Sequence, residues 1–152
     1  MFAVIRIRGS AGMRGDVKDT LKMLRLSAVN NCVLLPETVD YKGMLEKCKD
    51  ACTWGEINKE TLVGMLKKRL RLQGNGRVDE RVLKEATKFD SFEKFADVLT
   101  EGKVKLKDFE KIKSVFRLTP PSKGFKSVKD HYPTGDLGYR GKEINELIER
   151  MM

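Results

Sequence analysis

The 152-residue chain holds one histidine and three cysteines, too few to furnish most metal centres or nucleophile relays. A histidine-based relay would have to use His131, which sits in a lysine-rich stretch between Asp130 and Tyr132. Cys32, Cys48 and Cys52 are an odd set without framework spacing, which excludes a disulfide scaffold. Cys48 and Cys52 would share one face of a helix, but a tetrahedral zinc site needs four ligands, and His131 lies far along the chain. The thiols therefore read as small buried side chains. No G-x-S-x-G elbow and no H-E-x-x-H helix occurs. The acidic residues are interspersed with lysines at helical spacing, as on a solvated face. The reading is of a protein that is not an enzyme, with no cofactor and no metal.

Long apolar runs are also missing. Nothing approaches the ~18 residues that a spanning helix needs. The opening MFAVIRIRGS carries arginines within its apolar stretch, unlike a signal peptide. Phe2 stands where myristoylation needs glycine, and the chain closes on Met151-Met152 without a prenylation cysteine. A cytoplasmic protein with no membrane partner is expected.

What the chain has is charge. Charged residues make up 35% of it, and 31 Lys and Arg outnumber 22 Asp and Glu, giving a net charge of +9. Such a surplus is silent on fold but favours a polyanionic partner, nucleic acid first. The first 76 residues hold 14 basic and 8 acidic side chains, so they carry most of the excess.

Hydrophobic periodicity supplies the elements. Phe2–Arg8 alternates at period two, with Ala3, Ile5 and Ile7 on one face. Phe2, Val4, Arg6 and Arg8 lie on the other, which turns basic at its end. After a glycine-punctuated loop, Asp16 opens a helix to about Ala28, with Val17, Leu21, Leu24 and Ala28 at helical spacing. Cys32–Leu35 reads as a second strand stopped by Pro36. Thr38 or Asp40 caps a second helix, and Thr53–Ile57 is a third strand. Glu60–Arg71 is a clear helix with Leu62, Val63, Leu66 and Leu70 inward. Beyond the Gly74-Asn75-Gly76 break come two short helices, Arg77–Lys88 and Phe92–Thr100. A loop or edge strand at Lys103–Lys107 and a short strand at Val115–Leu118 follow. Thr119–Asp136 lacks apolar periodicity and reads as an extended surface segment, and Glu143–Met151 closes the chain as a helix.

At least three places suit phosphate. A strand, the Gly9–Gly15 turn and a helix N-terminus together present backbone N–H groups, and Arg8 and Arg14 flank them. The loop lacks the Gly-Lys-Ser/Thr of a P-loop and the G-x-G-x-x-G of a dinucleotide site. Lys67-Lys68-Arg69-Leu70-Arg71 packs four cations into five residues. Lys103, Lys105 and Lys107 suit either phosphate contact or protection of a strand edge. The Pro120–Arg140 segment carries Lys123, Lys126, Lys129, His131 and Arg140, interleaved with Phe125, Tyr132 and Tyr139 that can stack on bases.

These residues carry a family resemblance. The start, Phe2-Ala3-Val4-Ile5-Arg6-Ile7-Arg8-Gly9, then Thr20-Leu21 with Leu24-Arg25-Leu26, and Leu35-Pro36-Glu37-Thr38 with Tyr41-Lys42-Gly43-Met44, follow in order. So do Trp54-Gly55-Glu56, Lys68-Arg69, Phe116-Arg117-Leu118-Thr119-Pro120-Pro121 and Gly135-Asp136-Leu137-Gly138. Together they resemble the archaeal form of the large-subunit ribosomal protein thirty family, related to eukaryotic large-subunit protein seven. The resemblance implies an α+β fold with a β-α-β-α-β core and a three-stranded sheet, first strand central, in a variant ferredoxin-like arrangement. Residues 1–57 would be that core. Residues 58–152 would be a helical extension and basic C-terminal segment packed on it. The implied role is a structural one, ribosome-bound, as a monomer among neighbouring ribosomal proteins, binding large-subunit ribosomal RNA. Carried over residue by residue, the contacts are Arg8, Ser10 and Arg14, then Lys68 and Arg69, then Arg117, Lys123, Lys126 and Arg140. Two alternatives stand beside it: a nucleotide-binding domain or enzyme using the Gly9–Gly15 loop, and a protein–protein adaptor.

Overall fold

Strand β1, Phe2–Arg6, is buried along its whole length. A computed structural model of the protein describes residues 1–102 and 104–152. In it β1 is followed by helix α1 (Gly15–Met23), strand β2 (Asn31–Leu35), helix α2 (Val39–Lys47) and strand β3 (Cys52–Glu56). Then come helices α3 (Lys59–Arg69), α4 (Glu80–Thr87) and α5 (Phe92–Thr100), strands β4 (Val115–Arg117) and β5 (Gly138–Tyr139), and helix α6 (Ile144–Met151). The sheet runs β4-β2-β1-β3-β5, so the first strand is central, as the resemblance implies. β1 pairs antiparallel with β2 and β3, β4 pairs antiparallel with β2, and β5 pairs parallel with β3. Three strands were expected from the resemblance; two more, both from the second half of the chain, widen the sheet at its two edges.

Helices cover both faces. Phe2 and Val4 of β1 pack with Leu21, Leu24, Leu45 and Trp54 on the side of α1 and α2. Ala3 and Ile5 pack with Leu62, Leu66, Phe95, Ile144 and Ile148 on the side of α3, α5 and α6. This double burial corrects the expectation of one core face for β1: Phe2 and Val4, on the face read as turning basic, are core residues too. Helix α6 contributes Ile144, Leu147, Ile148 and Met151, each at 1% exposure or less. At about 2 kcal/mol for each such side chain, their burial is a large part of what holds the C-terminus on the sheet.

Some boundaries differ from the periodicity. The first helix ends at Met23, not near Ala28, because Arg25 takes the left-handed conformation (φ 61°). The Leu26 N–H then bonds the Leu21 carbonyl at 2.9 Å and the Arg25 N–H bonds that of Lys22 at 2.9 Å, a Schellman closure without glycine. Thr38, not Asp40, caps α2. Of the Lys103–Lys107 stretch, Lys103 lies outside the described residues. Leu106–Asp108 is a 3-10 turn, with the Asp108 carboxylate accepting the Lys105 N–H at 2.9 Å.

The three cysteines are buried free thiols. Burial pushes Cys32 up to about 12 and Cys48 up to about 11 from the ordinary 9.0, and it also raises Cys52 well above that value. Well below pH 9.0 the thiols are neutral in folded and unfolded chains alike. Above it the unfolded thiols ionise while the folded ones keep their protons, so stability falls as pH rises through the 9-to-12 window. Cys32 alone contributes a fall of about 1.4 kcal/mol per pH unit there. Urea midpoints measured from about pH 8 to about pH 11 should drop more steeply for the natural chain than for Cys32→Ala. Equal slopes would contradict this.

The second edge of the sheet depends on Gly55. A Cβ there would lie 1.9 Å from the Gly141 carbonyl oxygen, so only glycine lets the chain after β5 approach β3. Around that contact the Arg140 N–H bonds the Trp54 carbonyl at 2.9 Å, and the Asn145 amide bridges the Glu56 carbonyl (3.0 Å) and the Asn58 N–H (2.8 Å). The Tyr139 hydroxyl donates to Glu56 Oε1 at 2.6 Å, which pushes the phenol up. Gly55→Ala is expected to cost about 3 kcal/mol, read as a lower urea midpoint. A change within experimental error would show that the 138–145 stretch can move aside.

Candidate nucleic-acid interface

Register places five chain ends on one rim of the sheet. Arg6 pairs with Cys52, Asn31 with Arg117, and Thr53 with Gly138. The exit of β1, the entry of β2, the entry of β3, the exit of β4 and the entry of β5 therefore share that rim. The Gly9–Gly15 loop leaves from its centre. The 118–137 segment leaves from β4 at one edge and returns to β5 at the other, so it crosses the width of a five-stranded sheet, about 19 Å. The end of α3 joins the same rim through Arg69, which donates to the Thr119 hydroxyl at 3.1 Å and to the Met151 and Met152 carbonyls at 3.4 and 2.6 Å. Stretches that looked like three separate phosphate surfaces in the sequence are thus brought to one side.

At the centre of the rim the alternation is overturned for one residue. Arg6 was placed on a face turning basic, but it is only 3% exposed. Its guanidinium donates to the carbonyls of Leu26 (2.7 Å), Ser27 (2.8 Å) and Arg8 (2.9 Å) and to the Ser10 hydroxyl (2.6 Å). Desolvation pushes its pKa down, against the opposing pull of Cys52 and Cys48. The turn after α1 and the start of the glycine loop are fastened to the same group. Outside this latch, Arg8 is exposed and reaches the Asp50 carbonyl at 3.3 Å. The Arg14 side chain is 83% exposed, with Asp16 3.2 Å away. Gly12 (φ 67°) shapes the turn between them.

The 119–136 segment carries no helix or strand, as its composition suggests, yet it is folded on itself. Asp136, 4% exposed, organises it. Its carboxylate accepts the backbone N–H groups of Lys126 and Ser127 and holds the Arg140 guanidinium at 2.5 Å. Arg140 in turn lies over the Tyr132 ring, 5.3 Å from its centroid. His131 Nε2 is 3.1 Å from Asp50 Oδ1, which ties the segment to the turn before β3. The Thr119 and Ser122 N–H groups bond the Met151 and Arg150 carbonyls at 3.0 and 2.9 Å.

Of the nine expected contacts, Arg8, Arg14, Lys68, Arg117, Lys123 and Lys126 have exposed side chains along or beside the rim. The Lys126 ammonium also reaches the Pro133 carbonyl at 3.0 Å. Ser10, Arg69 and Arg140 are engaged by the protein's own groups: Ser10, itself exposed, by Arg6, Arg69 by the C-terminal residues and Arg140 by Asp136. Sequence reasoning missed Arg6 and Asp136 as organisers. The signal for Arg6, a cation inside an apolar strand, was present. Nothing local marked Asp136. Among the described residues, no group of three or more His, Cys, Asp or Glu is placed to hold a metal ion.

The fold and rim define a class, small basic α+β proteins that bring exposed cations from distant stretches of sequence to one end of an open sheet. A family model described as ribosomal protein L30p/L7e matches residues 2–51. The chain is 49% identical over 151 residues to large ribosomal subunit protein uL30 of Archaeoglobus fulgidus, covering 99% of both chains. It is 49% identical over 154 residues to the protein of that name from Methanococcus maripaludis, again covering 99% of both. With that from Thermoplasma volcanium it shares 46% over 153 residues, 100% of this chain and 93% of the other. The chain belongs to the ribosomal protein L30p/L7e family.

Removing the Arg6 side chain leaves the Leu26 and Ser27 carbonyls without their buried donor. Arg6→Ala is expected to lower stability by about 3 kcal/mol and to speed amide hydrogen exchange at Gly9–Gly15 beyond the change elsewhere in the chain. Uniform acceleration would mean that the latch serves global stability alone.

Proposed function

We propose that this chain is a non-catalytic structural constituent of the large ribosomal subunit, ribosome-bound in the cytoplasm, where it binds and stabilises ribosomal RNA through distributed phosphate contacts. The observation that carries this reading is the convergence of exposed cations from distant parts of the sequence on one rim of the sheet. Arg8, Arg14, Lys68, Arg117, Lys123 and Lys126 contact phosphates. Ser10 accepts from Arg6 and keeps its hydroxyl proton to donate to a phosphate oxygen. Arg69 uses one nitrogen internally, leaving the rest of its fork for RNA. Arg140, 7% exposed, contributes by holding the loop that presents Lys126. Residues 1–57 serve as the ribosomal core, in keeping with the family match to residues 2–51. Residues 58–152 pack on it and complete the sheet. Neighbouring proteins of the subunit are the other partners this placement entails.

Sedimentation of large subunits washed in high salt tests the assignment, with stoichiometric retention expected. Appearance of the protein in the soluble fractions alone would sink it. The contact residues are tested by salt dependence. Each neutralised phosphate contributes about 0.7 to 0.9 to the slope of log K against log salt. Lys68→Ala and Arg14→Ala should each flatten the slope by about that amount with little change in urea midpoint. Arg69→Ala should also lower the midpoint, because it releases Thr119 and the last two carbonyls. A slope that Lys68→Ala leaves unchanged would remove that residue from the interface.

A further inference from the structure

Behind the rim, a cleft of about 470 Å³ opens between the folded 123–136 segment and helix α6. Its chemistry is mixed in a way that a phosphate contact alone does not require. Lys123 and Arg150 bring cations to it, and Glu143 and Glu146 bring carboxylates. Lys123, Glu143 and Glu146 form no ion pair among the described residues. Tyr132 lies on the wall, 40% exposed, with one side of its ring covered by the Arg140 guanidinium. Arg140 and Arg150 are both lining residues, and the Nε of each is buried without a hydrogen-bond partner; the Arg140 side chain is only 5% exposed.

A bare anion would be repelled by the two carboxylates, and a simple cation by the guanidinium groups. The ligand that satisfies both has an anionic end, a flat face and an edge of N–H donors. A single unpaired nucleotide of an RNA has all three. Among the bases, guanine offers two adjacent donors, N1–H and the N2 amino group, to one carboxylate. We propose that this cleft receives one unpaired guanosine nucleotide of the bound RNA. Lys123 and Arg150 take its phosphate, the base lies against Tyr132, and Glu143 or Glu146 reads its donor edge. This rests on the RNA-binding reading above and adds base specificity to it.

The test is a chemical-shift titration of the full chain with GMP, AMP, CMP, UMP and inorganic phosphate. GMP is expected to bind saturably, with shifts at Lys123, Tyr132 and Glu146, and more tightly than the other three. The double variant Glu143→Gln/Glu146→Gln should lose the preference for GMP by about tenfold. Tyr132→Leu should weaken all four nucleotides and leave phosphate unaffected. Equal responses to phosphate and to every nucleotide would reveal an adventitious ion only, and absence of saturable GMP binding would also overturn the proposal. Retention of the natural chain on ribosomal RNA, measured in parallel, separates the two readings. If the RNA is retained and GMP is not preferred, the cleft proposal alone fails. If the RNA is not retained, the broader function fails whatever GMP does.

Discussion

Withdrawing a guanidinium from water is costly unless acceptors surround it. Arg6 meets that condition only where four groups from three places converge: two carbonyls of the turn after α1, one carbonyl at the exit of its own strand, and the Ser10 hydroxyl. The geometry of the sheet's end follows from this requirement. The turn at Leu26–Ser27 must close over the strand exit, and the glycine loop must begin against it. Arg8 and Arg14 are then carried outward on a fixed base. A buried charge thereby sets where exposed charges stand, so the interface inherits the rigidity of the core rather than the mobility of a surface loop.

The same logic recurs at lower burial in the second half of the chain. Asp136 gathers two backbone N–H groups and the Arg140 guanidinium, and Arg69 gathers a hydroxyl and two terminal carbonyls. In each case one ionic side chain replaces the hydrogen-bond ladder that a strand or helix would have supplied. The 119–136 segment needs such anchors because its prolines and glycines cannot form a regular element. Charge thus has two roles in this protein, one turned inward to hold loops and one turned outward to meet a polyanion.

Much of the fold was legible because burial leaves a periodic trace. The inward faces of α3 and α6 could be read from leucine and isoleucine spacing, and β1 from its period-two pattern. The end of α1 was not legible, since Arg25 closes it in a conformation usually marked by glycine. Strand β5 was invisible for another reason. Two residues, one of them glycine, have no period, and their pairing with β3 depends on the close approach at Gly55. The exposed cations of the interface could be found from sequence alone. The inward roles of Arg69 and Arg140 could not, because an arginine looks the same in a sequence whether its partner is a phosphate or a group of the protein itself, distant carbonyls for Arg69 and the Asp136 carboxylate for Arg140. Arg6 shows the converse error. Alternation assigned it to a polar face, while the carbonyls that bury it come from residues that alternation does not address.

The order of the strands also bears on how the chain comes to be folded as it is synthesised. β1, β2 and β3 are complete by residue 56, but the partners of their outer edges, β4 and β5, begin at residues 115 and 138. Until those residues have been made, a three-stranded sheet carries two open edges, a template for unwanted pairing with other chains. The face that α6 completes has only α3 and α5 to cover it in the same interval. Completion is therefore a late event, in which the residues from 115 onward seal both edges and finish one face. A nascent chain lacking them would expose the backbone groups of both outer strands, so the final stretch serves to close the sheet as well as to present the interface.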